Sequence, residues 1–525
     1  MKILITGAKG FVGRNLVCNL RNIQEGKNRT RPELAIEEIF EYDIDTDPAL
    51  LDEYCAQADF VFNLAGVNRP KENSEFMAGN FGFASTLLDT LKKHDNTCPV
   101  MLSSSIQATL IGRYGQSDYG KSIRVQGSKN GVLPLLSASV LVSGESVFTG
   151  CPSLTDVSAA VNILTYLGCR VLQSNGVICV DSSDADKYTV TDELMREMRS
   201  SVVFLGALLG RFGKAEMSAP GGCEIGLRPI DLHLEAMRTL GATIDETGGR
   251  LVCSCPQGLK GARISLSFPS VGATENILLA ACTAKGETLL INAAREPEII
   301  ELAEFLNACG AKISGAGESI IRIEGVNRLS SCEHNVWQDR IAATTYMAAA
   351  AVTDGKLELD MNRPSLLLPV IELFEKTGCA IDIKGSKINI KGASRLKKFG
   401  IIRTMPYPGF PTDSQADFAV MASVARGTCT IVENIFENRF KYVGELRRMG
   451  AQIRTENRVA VIEGVRELSG AKVVSHDLRG GSALVVAALC ANGTTVVDGI
   501  HHIDRGYEKI EEQLRKLGAE IYRKG

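Results

Sequence analysis

Reactive chemistry in this chain is concentrated in Ser218-Ala219-Pro220-Gly221-Gly222-Cys223-Glu224-Ile225-Gly226-Leu227-Arg228. A cysteine follows a proline and two glycines, and an arginine stands five residues beyond it. No strongly apolar side chain occurs between Ser218 and Glu224, so the stretch reads as a loop rather than core. A thiol is acidic enough to give up a proton and soft enough to add to carbon. A neighbouring cation suits an anionic substrate. Glu224 should raise the thiol pKa, which disfavours thiolate and suits a proton donor. The bland alternative is a small, inert, buried side chain, the usual fate of a lone cysteine.

The scaffold that must position this loop is large. A chain of 525 residues exceeds one ordinary core, so two or more domains are expected. Apolar content of 45%, charged content of 23% and a net charge of −3 fit a globular protein, with no signature for nucleic acid or a membrane surface. Apolar runs such as 341–353 fall short of the roughly 20 residues that span a bilayer. The N-terminus reads as a strand, not a signal peptide. Fifteen cysteines without paired spacing fit reduced thiols in a cytoplasm. Cys253-x-Cys255 and Cys332-x-His334 are too short and scattered for a metal centre, and none is expected.

Residues 1–122 follow one pattern. Strands are predicted at 2–6, 38–42, 60–64 and 99–102, alternating with helical runs, as in half of a doubly wound sheet. Gly7, Gly10 and Gly13 follow the first strand at the spacing that lets backbone approach a pyrophosphate at a helix N-terminus. Asp43 ends the second strand, placed to accept from a ribose hydroxyl. With Asn63-Leu64-Ala65-Gly66, Ser105 and Tyr119, these residues make the segment similar to the extended short-chain dehydrogenase/reductase family. That family's Tyr-x-x-x-Lys motif breaks here, because the lysine position after Tyr119 holds Ile123. The segment reads as a partial, non-catalytic Rossmann domain. Residual NAD(P) binding by Gly7, Gly10, Gly13 and Asp43 is the only cofactor expectation, and no cofactor is expected to be required.

From 123 onward a second pattern repeats. A helical run ends in Gly-Ala/Cys-x-apolar six times, at Gly168, Gly241, Gly310, Gly378, Gly450 and Gly518, roughly 70 residues apart. Glycine fits a left-handed helix C-cap, and the apolar residue after it should start a strand. Small-residue helices at 274–283, 416–425 and 482–491 are apolar nearly all round, which predicts burial inside a ring of sheets.

Six such units resemble the enolpyruvyl transferase family, in the branch acting on UDP-N-acetylglucosamine. The resemblance rests on Gly127-Ser128-Lys129-Asn130, the loop 220–228, Arg228-Pro229-Ile230-Asp231-Leu232-His233, Ser270-Val271-Gly272-Ala273-Thr274 and Ala294-Arg295-Glu296-Pro297-Glu298. It continues in Phe410-Pro411-Thr412-Asp413, Glu437-Asn438-Arg439-Phe440, Asp477-Leu478-Arg479 and His502-Ile503-Asp504-Arg505-Gly506-Tyr507-Glu508. The implied fold is a pair of inside-out α/β barrels, residues 129–337 forming one domain and 338–525 with 123–128 the other. The implied reaction moves an enolpyruvyl group from phosphoenolpyruvate to the sugar 3′-hydroxyl and releases phosphate.

The resemblance also assigns roles. Cys223 would be the acid and can form a covalent adduct with phosphoenolpyruvate. Asp413 would be the base. Lys129, Arg228 and Arg505 would hold the phosphoenolpyruvate anion, with Asn130 beside Lys129. Arg199, Arg439 and Arg479 would line the cleft, since guanidinium forks pair bidentately with carboxylate and phosphate. Arg228, Pro229, Ile230, Asp231 and Leu232, with Phe268, Pro269, Ser270, Val271 and Ile435, would contact the nucleotide sugar. The bland readings are an N-cap for Asp413 and solvated surface charges for Lys129 and Arg505.

The chain departs from that family at one point. A strand and turn normally precede the Gly-Ser-Lys-Asn motif, and only 123–126 remain of it, so an incomplete sheet or a borrowed edge is expected. Two other functions stay open on sequence: a nucleotide-sugar epimerase or reductase acting through 1–122, and an inactive nucleotide-sugar binder.

Overall fold

A computed structural model of the protein describes residues 1–27, 34–65, 82–102, 121–198, 200–218 and 230–524. The chain forms two compact units, 1–115 and 116–525.

In the first unit four parallel strands lie in the order Glu38–Tyr42, Lys2–Thr6, Phe60–Asn63, Val100–Leu102. The expected strands are all present, within a residue of their predicted ends. The glycine loop is tight. Gly7 has φ of +68°, and a Cβ at Gly13 would lie 2.1 Å from the Gly7 carbonyl oxygen. Ser105 and Tyr119 lie outside the described residues.

The second unit carries the repeats, and its six signature glycines all adopt left-handed φ between +93° and +101°. An L-residue there would set Cβ against the following carbonyl, which is why glycine recurs at this step. Five of the six signatures lead into a strand, at Arg170–Ser174, Thr243–Asp245, Lys312–Ser314, Ala380–Lys384 and Gln452–Glu456. The sixth does not: 519–524 form no strand.

Four sheets share one plan, a three-residue edge strand parallel to its neighbour and antiparallel pairing for the rest. The edge strands are Arg263–Ser265, Glu333–Asn335, Ile401–Arg403 and Ser122–Arg124. The last corrects the expectation of a missing strand. Ser122, Ile123 and Arg124 pair with Glu358, Leu359 and Asp360, so this sheet is as complete as its counterparts. Three residues are all that this edge requires in any of the four sheets. Ser122, read from sequence as part of the N-terminal segment, belongs to this strand.

Strands such as Glu287–Ile291 alternate exposed and buried residues, whereas the helices Val271–Ala281, Gln415–Val424 and Leu478–Leu489 are buried on nearly every side. Helices therefore lie inside and sheets outside, the reverse of the usual order. Buried side chains form two large cores. One gathers Val132 to Val336; the other gathers Ile123, Val125 and Ala342 to Leu514.

Candidate active site

Three cations stand at the N-termini of inner helices. Ser128 caps Lys129–Ala138 by accepting from Gly131 N at 3.1 Å, which sets Lys129 at the first helical position. Asp339 caps Arg340–Val352 through Ile341 N and Ala342 N, and its other oxygen accepts from Lys129 N at 3.3 Å. Asp477 caps Leu478–Leu489 through Arg479 N and Gly480 N. A cation at the positive end of a helix dipole is locally unfavourable. Arg340 is paired with the buried Glu298, so Lys129 and Arg479 are the charges that make a focus of positive potential suited to an anion.

Backbone approach fixes this focus. A Cβ at Gly127 would lie 2.1 Å from the Gly150 carbonyl oxygen, so the turn ahead of Lys129 requires glycine. Gln126 donates to Gly506 O and accepts from Glu508 N, tying the lead-in segment to the turn that carries Arg505.

Two carboxylates neutralise part of the charge. Asp156, on the first turn of Thr155–Tyr166, is buried and accepts from Lys129 Nζ at 2.8 Å. Its two oxygens also accept from Arg505 Nε and Nη2 at 2.9 and 3.0 Å, a bidentate pair. Burial raises the Asp156 pKa, but Lys129 and Arg505 reverse this and hold it below the usual range. Burial also lowers the Lys129 pKa, against the pull of Asp156. Asp156 was not singled out in the sequence, where an acid in a first helical turn reads as ordinary dipole compensation.

Asp413 sits in the turn Thr412–Ser414 and caps no helix, since no side chain caps the helix Gln415–Val424. It accepts instead from Arg439 Nη2 at 2.6 Å and faces Arg479 Nη2 at 3.8 Å. Burial raises its pKa, but Arg479 and Arg439 outweigh this and hold the carboxyl well below the usual range. Glu433, also unremarked in the sequence, sets this loop. Its buried carboxylate accepts from Thr404 and Thr412 Oγ1, Gln415 Nε2 and the backbone N–H of Ile435 and Phe436.

Lys129, Arg505, Asp413, Arg439 and Arg479 thus fall into two linked ion clusters, and Arg479 acts electrostatically on Lys129. Asn130 lies half-buried on the same first turn as Lys129. Ile230, Asp231 and Leu232 begin the helix Asp231–Thr239, which packs against Val271–Ala281, the helix that Ser270 caps. This contact brings them near Ser270 and Val271; Phe268 is exposed and Pro269 half-buried ahead of the cap. His233 lies beneath. Its Nδ1 accepts from Asn276 Nδ2 at 2.8 Å, and burial lowers its pKa to about 4. Ile435 is half-buried on the loop held by Glu433. Cys223, Arg228, Pro229 and Arg199 lie outside the described residues.

In the N-terminal unit Gly7, Gly10 and Gly13 surround the strand-to-helix turn as expected. Asp43 Oδ2 accepts from Lys9 N at 2.7 Å and Oδ1 from Ile44 N at 2.8 Å, so both its oxygens are engaged within the loop.

The family model described as EPSP synthase (3-phosphoshikimate 1-carboxyvinyltransferase) matches residues 114–514. The chain belongs to the enolpyruvyl transferase family. A UDP-N-acetylglucosamine 1-carboxyvinyltransferase 2 from Caldanaerobacter subterraneus subsp. tengcongensis is 49% identical over 409 residues, covering 78% of this chain and 98% of that protein. A UDP-N-acetylglucosamine 1-carboxyvinyltransferase from Shewanella amazonensis is 45% identical over 402 residues, covering 77% and 96%. Among solved structures, the enolpyruvyl transferase NikO from Streptomyces tendae superposes with a TM-score of 0.70 at 24% identity, covering 78% and 97%. That likeness establishes the fold. Residues 3–122 match the NAD dependent epimerase/dehydratase family model.

Proposed function

We propose that this transferase moves the enolpyruvyl group of phosphoenolpyruvate to the 3′-hydroxyl of UDP-N-acetylglucosamine, releasing phosphate, as the first committed step of peptidoglycan precursor synthesis in the cytoplasm. The observation that carries the reading is the meeting of Lys129, Arg505, Arg439 and Arg479 with Asp156 and Asp413 in two linked ion clusters. Cations gathered at helix N-termini suit a substrate that carries a phosphate and a carboxylate. The names of the 45–49% identical relatives support the choice of acceptor.

The chemistry follows from the charges. Phosphoenolpyruvate enters against Lys129 and Arg505 and draws Arg479 and Arg439 off Asp413. Losing those partners raises the basicity of Asp413, which then takes the proton of the 3′-hydroxyl as its oxygen attacks C2. Cys223 gives a proton to C3. The Cys223 thiolate then takes a proton back from C3 as the double bond re-forms and phosphate leaves, its charge spread over the same cations. No metal or cofactor is required.

Phosphate release that needs both substrates tests the reading. Cys223→Ala should lower the rate by at least about a hundredfold, the usual scale for a general acid. A variant with full rate would remove Cys223 from the mechanism.

A further inference from the structure

The helix Gln415–Val424 carries a second aspartate, Asp417, which the roles above leave unused. It is 2% exposed. Its Oδ2 accepts from Thr345 Oγ1 at 2.8 Å, while Oδ1 has no hydrogen-bond partner among the described residues. Thr345 Oγ1 lies 2.8 Å from Tyr507 Oη. Tyr507 Oη accepts from Arg479 Nη1 at 3.2 Å and lies 3.1 Å from Ser482 Oγ. The Arg479 guanidinium also stands over the Tyr507 ring, 5.5 Å from its centroid. An unbroken chain of hydrogen bonds thus runs from a buried carboxyl to a guanidinium that faces Asp413.

We propose that Asp417 is a positioning residue for the transfer reaction: through Thr345 and Tyr507 it sets how Arg479 is shared between Tyr507 and Asp413. The inference rests on the function proposed above. Proton counting gives its logic. Thr345 has one proton to give. When Asp417 is ionised, Thr345 donates to it, Tyr507 donates to Thr345, and the Tyr507 lone pairs accept from Arg479 and Ser482. Every donor then points toward the carboxylate, and Tyr507 holds Arg479 firmly. When Asp417 is protonated it donates to Thr345 instead, and Thr345 turns its proton to the Ile341 carbonyl 3.2 Å away. Thr345, no longer polarised by a carboxylate, then accepts more weakly from Tyr507, so Tyr507 holds Arg479 less firmly and Arg479 leans to Asp413. Since Asp413 loses basicity to every guanidinium that pairs with it, the ionised form of Asp417 favours turnover.

The surroundings let this carboxyl titrate near neutrality. Burial lifts it to about 7, against the opposing pull of the Thr345 hydrogen bond and the Arg479 charge. Tyr507 and Tyr442 also face it, and burial pushes both phenols up, so neither ionises in this range. Helix Arg340–Val352 presents Thr345, which does not titrate. The turn ahead of the helix presents Asp413, ionised well below neutrality. The strands Thr428–Val432 and Val459–Glu463 pack on the same helix and present Cys429, Ile431, Ala460 and Ile462. Burial pushes the Cys429 thiol up as well.

The test is the pH profile of substrate-dependent phosphate release by the full chain between pH 5.5 and 8.5, with kcat and KM separated. Wild type should gain about fivefold or more in kcat through the Asp417 ionisation, the low end of typical coupling between sites. Asp417→Asn should lose that step. Thr345→Val, which cuts the chain, should lose it too, and Thr345→Ser, which keeps the hydroxyl, should retain it. An Asp417→Asn profile that parallels wild type would overturn the proposal. If Asp417→Asn fails to fold, a Thr345→Val profile that keeps the step overturns it equally. Absence of transfer by wild type at every pH would overturn the proposed function, and this inference with it.

Discussion

Asp156 is the side chain on which two cations of the site depend. It pairs with Lys129 and, bidentately, with Arg505, and all three are largely withdrawn from water. Asp156→Asn keeps the shape and removes the charge, leaving Lys129 and Arg505 to repel each other. Removing one partner of a buried pair costs about 3–5 kcal/mol, and urea unfolding at pH 7 should show a loss on that scale. The pH dependence has a defined sign. The folded pKa of Asp156 lies below its unfolded value, so its contribution is fully present above the unfolded pKa, about 4. It is lost as pH falls through the folded value. The gap between wild type and Asp156→Asn should stay constant from pH 8 to 5 and shrink below about pH 4. A gap that shrank at neutral pH would contradict the pairing. Asp417 behaves oppositely. Its raised pKa makes the folded state hold the proton longer, so stability falls as pH rises from about 4 to about 7. Asp417→Asn should remove that fall in urea midpoints.

At the level of elements, the recurring glycine is the clearest test of why the fold repeats. Gly310 has φ of +101° and no atom within 4 Å of the Cβ position. Gly310→Ala therefore isolates backbone strain from packing. It should cost about 1–2 kcal/mol, seen as a drop of roughly 2–6 °C in Tm. An unchanged Tm would mean that the glycine serves something other than conformation. The repeats were legible in the sequence because glycine is the residue that relieves this left-handed step, and because apolar-all-round helices need an enclosing layer. The short edge strand Ser122–Arg124 was not legible. Three residues show no periodicity, and their partner Lys356–Asp360 lies more than 200 residues away. Lys129, Asp413, Arg439, Arg479 and Arg505 were singled out through motif context, and the structure gathers them into ion clusters. Asp156 and Glu433 were missed because burial decides their roles, and a lone acid in sequence carries no sign of burial.

For the whole molecule, the unit 116–525 contains both large cores and every described residue of the ion clusters. The relatives at 45–49% identity align with this part and are covered almost end to end. A chain of residues 116–525 should therefore fold and keep phosphate release within about twofold of the full chain, since this unit carries its own cores and ion clusters. Loss of activity on truncation would give the N-terminal unit a part in the reaction. The central claim is that the cations around Asp156 and Asp413 serve enolpyruvyl transfer. Its most direct test is to incubate the full chain with phosphoenolpyruvate and UDP-N-acetylglucosamine and to measure released phosphate and nucleotide-sugar mass in one sample. The account predicts one phosphate for each UDP-N-acetylglucosamine that gains an enolpyruvyl group, and none when either substrate is withheld. Phosphate release without the sugar, or no mass gain on it, would contradict the account.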